Sequence, residues 1–258
     1  MSECVVIGAG TMGRGIATAA LQAGLTTAVV DVSEDALAAL DDRIERHTEL
    51  EPAVGDAAVV IEAVPELLDL KLDVFARLAR AAPPQALLAS NTSTMSVSRL
   101  AAACGDSPRV IGMHFFNPVH RMALVEVVVG RATSEATVQD ALALAERLGK
   151  EPIVVRDVPG FVTSRLGLAL GNEAMRLVEE GVATAEDVDK AMRLGYRHPM
   201  GPLELADLVG LDARLNNLRS MYEQSGLERY RPPAILERLV GEGRLGHKSG
   251  AGFYEYGA

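Results

Sequence analysis

Through residue 155 the chain alternates short, almost unbroken apolar runs with longer stretches of helical periodicity. Cys4 to Ile7, Thr27 to Asp31, Ala57 to Val64, Ala86 to Ser90, Val110 to His114, Leu124 to Val129 and Pro152 to Val155 read as strands. Thr11 to Ala23, closed by Gly24, reads as a small-residue helix, and Ser33 caps a second that runs to about Arg46. Leu68 to Ala81, ended by Pro83-Pro84, and Ser134 to Leu148 complete the set. Strands that are apolar on both faces and alternate with helices indicate a mostly parallel sheet covered on both sides. The expected class is therefore α/β, with a mostly parallel, doubly wound N-terminal sheet.

From Gly160 onward the period changes. Phe161 to Glu180, Thr184 to Leu194, Pro202 to Leu208, Ala213 to Gln224 and Pro233 to Val240 all carry helical spacing, with almost no strand signal. Asp157-Val158-Pro159-Gly160 is the natural hinge. Two domains are expected: residues 1–156 as the α/β unit and 157–258 as an all-helical unit.

Composition narrows the function classes. The chain is 48% hydrophobic and 23% charged with a formal net charge of -10, which argues against nucleic-acid or anionic-membrane partners. Cys4 and Cys104 lack metal-ligand spacing, so neither a zinc site nor a disulfide framework is expected. The first strand begins by Cys4, leaving no room for a signal peptide, and no apolar run reaches the roughly 20 residues of a membrane span. A soluble cytoplasmic protein is the expectation.

Gly8-Ala9-Gly10-Thr11-Met12-Gly13 follows the first strand and opens the first helix. Gly8 permits a tight turn, Gly10 lets a pyrophosphate approach the backbone, and Gly13 allows close helix–strand packing. The helix N-terminus offers free N–H groups to phosphate. Asp31 ends the second strand, where an acid binds the adenosine ribose and repels a 2'-phosphate, so NAD is expected over NADP. The alternative for Asp31 is a helix-capping acid. Gly112-Met113-His114-Phe115-Phe116-Asn117-Pro118 and Glu126 then place an imidazole, an amide and a carboxylate in an apolar neighbourhood. A histidine oriented by a buried carboxylate is a general base near neutral pH. A lone histidine would read as a satisfied core residue, but Asn117 and Glu126 are costly to bury without partners. Ser90-Asn91-Thr92-Ser93-Thr94 follows the fourth strand, where a doubly wound sheet presents its ligand crevice. Lys71 and Lys248, on pattern alone, read as solvated surface lysines.

Together these motifs, with Pro159-Gly160-Phe161, His198-Pro199-Met200-Gly201-Pro202 and Gly252-Phe253-Tyr254, resemble the 3-hydroxyacyl-CoA dehydrogenase family over essentially the whole chain. The resemblance implies an N-terminal Rossmann-type NAD-binding domain, NAD-dependent, reversible oxidation of a (3S)-3-hydroxyacyl thioester to the 3-oxo product, and a homodimer formed through the C-terminal helices. It implies that His114 is the base and Glu126 its partner, with Ser93 and Asn117 at the substrate and nicotinamide. Glu66, Lys71, Asn91 and Lys248 fall where the family contacts the cofactor or shapes its site.

Two departures stand out. Ser164 occupies the position of a family Asn that helps hold the substrate, so one hydroxyl replaces a two-ended amide. The stretch between Asp31 and the third strand is short, whereas the family inserts a helical hairpin that helps bind CoA. CoA is the expected carrier, with an acyl-carrier-protein thioester or a free hydroxy acid (a gulonate-type dehydrogenase) as alternatives. A non-catalytic NAD-binding redox sensor is the remaining class.

Overall fold

The computed structural model describes residues 2–257, which fall into two compact units divided between Phe161 and Val162. The first unit is built on an eight-stranded sheet. Its elements are β1 (Cys4–Ile7), α1 (Thr11–Gln22), β2 (Thr27–Val30), α2 (Glu34–Ala38), β3 (Glu45–His47), α3 (Leu50–Val54), β4 (Val59–Glu62) and α4 (Leu68–Ala81). They continue as β5 (Leu87–Ser90), α5 (Val97–Ala103), β6 (Val110–Phe115), β7 (Leu124–Val129), α6 (Glu135–Arg147) and β8 (Glu151–Arg156). The strand order is β3-β2-β1-β4-β5-β6-β7-β8, parallel throughout except for the antiparallel step from β6 to β7. The order reverses at β1, and there the C-terminal strand ends open a crevice.

Two cores explain why the runs read as strands. One face of the sheet packs Val6, Val29, Ile61 and Met113 under α1 and α6. The other packs Val5, Val60 and Leu88 under α4 and α5, around Phe75 and Leu78. Every residue of β1, β2, β5 and β6 is buried, so alternation is absent and only continuous apolar character remains.

The helix expected from Ser33 to about Arg46 is corrected: it stops at Ala38. Asp41 takes over the chain locally, its carboxylate accepting from the Arg43 backbone N–H at 3.0 Å and from the guanidinium at 2.9 and 2.8 Å. Short acids compete with helical hydrogen bonding in this way. Glu45-Arg46-His47 then adds to β2 as an edge strand, in the register Val29 to Arg46. Leu50–Val54, where no element was expected, forms α3. The sequence reading also passed over α5, whose start Ser96 caps by accepting from Arg99 N. Asp157 reinforces that start, accepting from Ser96 Oγ at 2.8 Å, Val97 N at 3.0 Å and Ser98 N at 2.7 Å. Asp157, at the proposed hinge, is thereby tied into the first unit.

The second unit contains α7 (Thr163–Glu179), α8 (Ala185–Gly195), α9 (Pro202–Val209), α10 (Leu211–Ser225) and α11 (Ala234–Gly241) around Met175, Leu203, Leu218 and Leu236. Two fully buried acids organise it. Asp189 accepts from Leu203 N at 2.9 Å and Glu204 N at 2.8 Å, capping α9, and from the Tyr254 hydroxyl at 2.8 Å. Asp207 accepts from Phe253 N, Tyr254 N and the Tyr256 hydroxyl, each at 3.0 Å. A Cβ at Gly201 would stand 2.2 Å from the Asp189 carboxyl carbon, and one at Gly252 would stand 2.1 Å from an Asp207 oxygen. The motif glycines here make room for carboxylates. Among the described residues no helix is long and apolar enough to cross a membrane.

Candidate active site

The glycine loop is shaped by close approaches on two sides and openness on the third. Gly8 has φ of +105°, and a Cβ there would meet the Ala63 carbonyl oxygen at 2.7 Å. A Cβ at Gly13 would come within 1.8 Å of the Gly8 carbonyl oxygen, so α1 can start here only with glycine. Gly10, the N-cap of α1, has nothing within 4 Å of its notional Cβ. That open cradle over a helix N-terminus, with no side-chain cap, fits a pyrophosphate. Asp31 buttresses the loop while lining the crevice: Oδ2 accepts from Ala9 N at 2.6 Å and Oδ1 from Ser33 N at 2.9 Å.

Two cavities follow the strand ends. The larger, about 630 Å³, is lined by Gly8, Gly10, Asp31, Val32, Leu50 and Leu70, among others. Its apolar walls suit an adenine, and Asp31 suits the adjoining ribose. The smaller, about 340 Å³, is lined by Glu66, Asn91, Ser93, His114, Phe116 and Asn117. Met12, Ala63 and Val64 line both, so the two join into one trough across the glycine loop. The residues fit a dinucleotide laid along that trough.

The imidazole stands at the end of the smaller cavity. His114 and Glu126 are direct partners in the antiparallel register of β6 and β7, which sends their side chains to one face. The His114 Nδ1–H donates to Glu126 Oε2 at 2.7 Å, and Glu126 is fully buried. That bond fixes the tautomer and leaves Nε2 with its lone pair for a substrate proton. The Phe116 ring lies 4.5 Å from the imidazole and the Phe161 ring 6.0 Å away, a largely dry surround.

Beneath the cavity runs a polar network that reaches the Ser90–Thr94 loop. Lys71 has no solvent exposure; its Nζ donates to Glu62 Oε1 at 2.6 Å and lies 3.2 Å from Glu66 Oε2. Glu62 also accepts from Ser90 Oγ at 2.6 Å and Val64 N at 2.8 Å. Glu66 accepts from the Thr92 hydroxyl, from Ser93 N at 3.1 Å and from Thr94 N at 3.3 Å. Burial raises the Glu66 pKa, but the Lys71 charge and the Thr92 and Ser93 hydrogen bonds outweigh it and hold the carboxyl below its usual range. Asn91 is fixed too, its Oδ1 accepting from Phe115 N at 2.9 Å.

His114, Glu126, Ser93, Asn117, Asn91, Glu66 and the glycine loop Gly8, Ala9, Gly10, Thr11, Met12 and Gly13 all lie in the first unit with Asp31. The reading of Lys71 as a solvated lysine is corrected. Two carboxylates enclose its ammonium, and one of them, Glu66, lines the smaller cavity. Ser164 stands in the first turn of α7, and Lys248 in a short turn where Nζ pairs with Asp212 Oδ2 at 2.5 Å; both belong to the second unit. Sequence reasoning missed Glu62. The usable signal was Glu62 itself, an acid within an apolar run and therefore in want of a cation.

The sequence model of the 3-hydroxyacyl-CoA dehydrogenase NAD binding domain matches residues 3–50 and 38–158, and that of the 3-hydroxyacyl-CoA dehydrogenase C-terminal domain matches residues 160–256. The first two matches overlap around the corrected end of α2. A probable 3-hydroxybutyryl-CoA dehydrogenase of Bacillus subtilis is 42% identical over 99% of this chain and 98% of its own length. That alignment spans 280 positions against a chain of 258 residues, so the relative carries residues absent here. The 3-hydroxybutyryl-CoA dehydrogenase of Bradyrhizobium diazoefficiens is 39% identical over 97% of this chain and 94% of its own. The crystal structure of (S)-3-hydroxybutyryl-CoA dehydrogenase from Ralstonia eutropha superposes with a TM-score of 0.93 at 37% identity, covering all of both chains.

Proposed function

The chain belongs to the 3-hydroxyacyl-CoA dehydrogenase family of NAD-dependent oxidoreductases, and on that premise we propose how its own residues carry the reaction. The substrate is a (3S)-3-hydroxyacyl-CoA and the product its 3-oxo form. The names of the relatives favour a CoA ester over a carrier-protein thioester or a free acid. The observation that carries the reading is the His114–Glu126 pair at the end of a trough shaped for a dinucleotide.

His114 Nε2 accepts the proton of the 3-hydroxyl, and Glu126 stabilises the imidazolium that forms. NAD, when bound, supplies the hydride acceptor. Ser93 and Asn117 orient the reacting oxygen and the thioester, and Asn91 and Glu66 hold the loop that presents Ser93. Ser164 and Lys248 keep the substrate and cofactor roles that the resemblance gives them. In the reverse direction His114 protonates the developing alkoxide.

The test is a steady-state assay of acetoacetyl-CoA reduction run in parallel with NADH and NADPH. We expect turnover with NADH, and a large preference over NADPH because the Asp31 carboxylate repels a 2'-phosphate. Failure to oxidise NADH would overturn the activity; equal use of both cofactors would overturn the role of Asp31.

The chain pairs with a second copy through its C-terminal helices. Leu166 and Leu170 on α7, with Leu205, Leu208 and Val209 on α9, expose apolar surface at helical spacing. Leu166 is 66% exposed and Val209 56%, a pattern that marks an interaction face when it forms a patch. Light scattering should give twice the chain mass, and Leu208→Asp with Val209→Asp should halve it. A wild-type chain at single mass would exclude the dimer.

A further inference from the structure

A third cavity of the first unit, about 500 Å³, has no part in the chemistry described so far. Its walls include Arg14, Thr18, Gln22, His120, Leu148 and Lys150, and no carboxylate lines it. In a chain of net charge -10 that is an unusual local sign. Among the described residues the Arg14 guanidinium has neither a hydrogen-bond nor an ion-pair partner. The Lys150 ammonium is held in place by the carbonyls of Val119 and Met122.

Topology puts these groups at the catalytic edge of the sheet. β6 ends just beyond His114, and β7 runs back antiparallel, so the loop joining them lies at the His114 end. β8 is parallel to β7 and starts at Glu151, which places Lys150 at the same edge. α1 rises from the glycine loop there, with Arg14 in its first turns. A Cβ on Gly15 would sit 2.8 Å from Val119 Cγ2, so the loop from Asn117 to Met122 lies directly on α1. One end of that loop thus carries the catalytic Asn117 and its middle carries His120, a wall of the basic cavity.

We propose that this cavity receives the phosphate-bearing nucleotide end of the CoA thioester, an assignment that rests on the acyl-CoA reading above. The nucleotide of CoA carries a diphosphate and a 3'-phosphate, and a guanidinium with free donors matches phosphate oxygens two at a time. The Asn117–Met122 loop runs between the two cavities: Asn117 lines that of His114, and His120 lines this one. The segment after α2 offers no comparable acid-free basic surface: Arg43 and Arg46 are already paired with Asp41 and Asp42.

The experiment compares acetoacetyl-CoA with acetoacetyl-pantetheine, which has the same reacting group and no nucleotide. Arg14→Glu should raise the KM for acetoacetyl-CoA by about tenfold or more, the loss of a charge-assisted phosphate contact. The KM for the pantetheine thioester and the KM for NADH should stay within about twofold of wild type. His120→Ala, a milder change on a separate element, should move the CoA KM in the same direction. An equal change for both thioesters, or none for acetoacetyl-CoA with either variant, would overturn the assignment. A wild-type protein inactive on both thioesters would instead bring down the dehydrogenase reading on which it rests.

Discussion

His114→Gln should lower kcat for acetoacetyl-CoA reduction by about 10²- to 10⁴-fold, the range that a positioned acid–base group contributes. Glutamine keeps an N–H to donate toward Glu126, which is fully buried and 2.7 Å from the imidazole, so the fold should survive. What it cannot do is exchange a proton with the reacting oxygen. NADH affinity should be little changed, since the glycine loop and Asp31 line a separate part of the trough. Stopped-flow or steady-state turnover, with NADH binding followed by fluorescence, separates the two effects. A kcat within twofold of wild type would remove His114 from the chemistry.

Lys71→Met should strongly destabilise the first unit. Glu62 and Lys71 are both fully buried and 2.6 Å apart, and removing the cation strands a carboxylate in a dry interior. Breaking a buried pair in this way costs about 3–5 kcal/mol, equivalent to a melting-temperature drop of roughly 10 °C for a protein of this size. Glu62→Gln combined with Lys71→Met should recover most of that loss, because no unpaired charge is left. Activity should fall as well, since Glu66 loses the ion-pair partner that lowers its pKa and sits 3.2 Å from its Oε2, while its Oε1 accepts from Ser93 N. Thermal unfolding of the single and double variants decides it. A double variant no more stable than Lys71→Met would show that the charge pair is not the cause.

The sheet was legible because its strands are buried on both faces, and the dyad because two polar groups interrupt apolar runs. β3 was not legible. Its residues Glu45-Arg46-His47 sit on an edge, where solvent removes the need for apolar side chains and hydrophobic patterning carries no signal. The early end of α2 turns on one acid, Asp41, whose side-chain bonds no periodicity count registers. Lys71 was misjudged because a lysine's burial is decided by the carboxylates the fold brings to it, here Glu62 at the end of β4 and Glu66 in the loop before α4. In the second unit the motif glycines Gly201 and Gly252 were visible, but their purpose was not. Only the folded chain shows Asp189 and Asp207 filling the space that a side chain would take.

The single antiparallel step in the sheet makes strand pairing and chemistry one event. Because His114 and Glu126 meet through register, a slip of one residue between β6 and β7 would turn Glu126 to the opposite face and leave nothing in its place. The dyad therefore has no half-formed version: it is present when the strands are in step and absent otherwise. Recovered turnover during refolding is accordingly a clock for the correct closure of that strand pair, and a chain with native helix content but slipped strands would be silent.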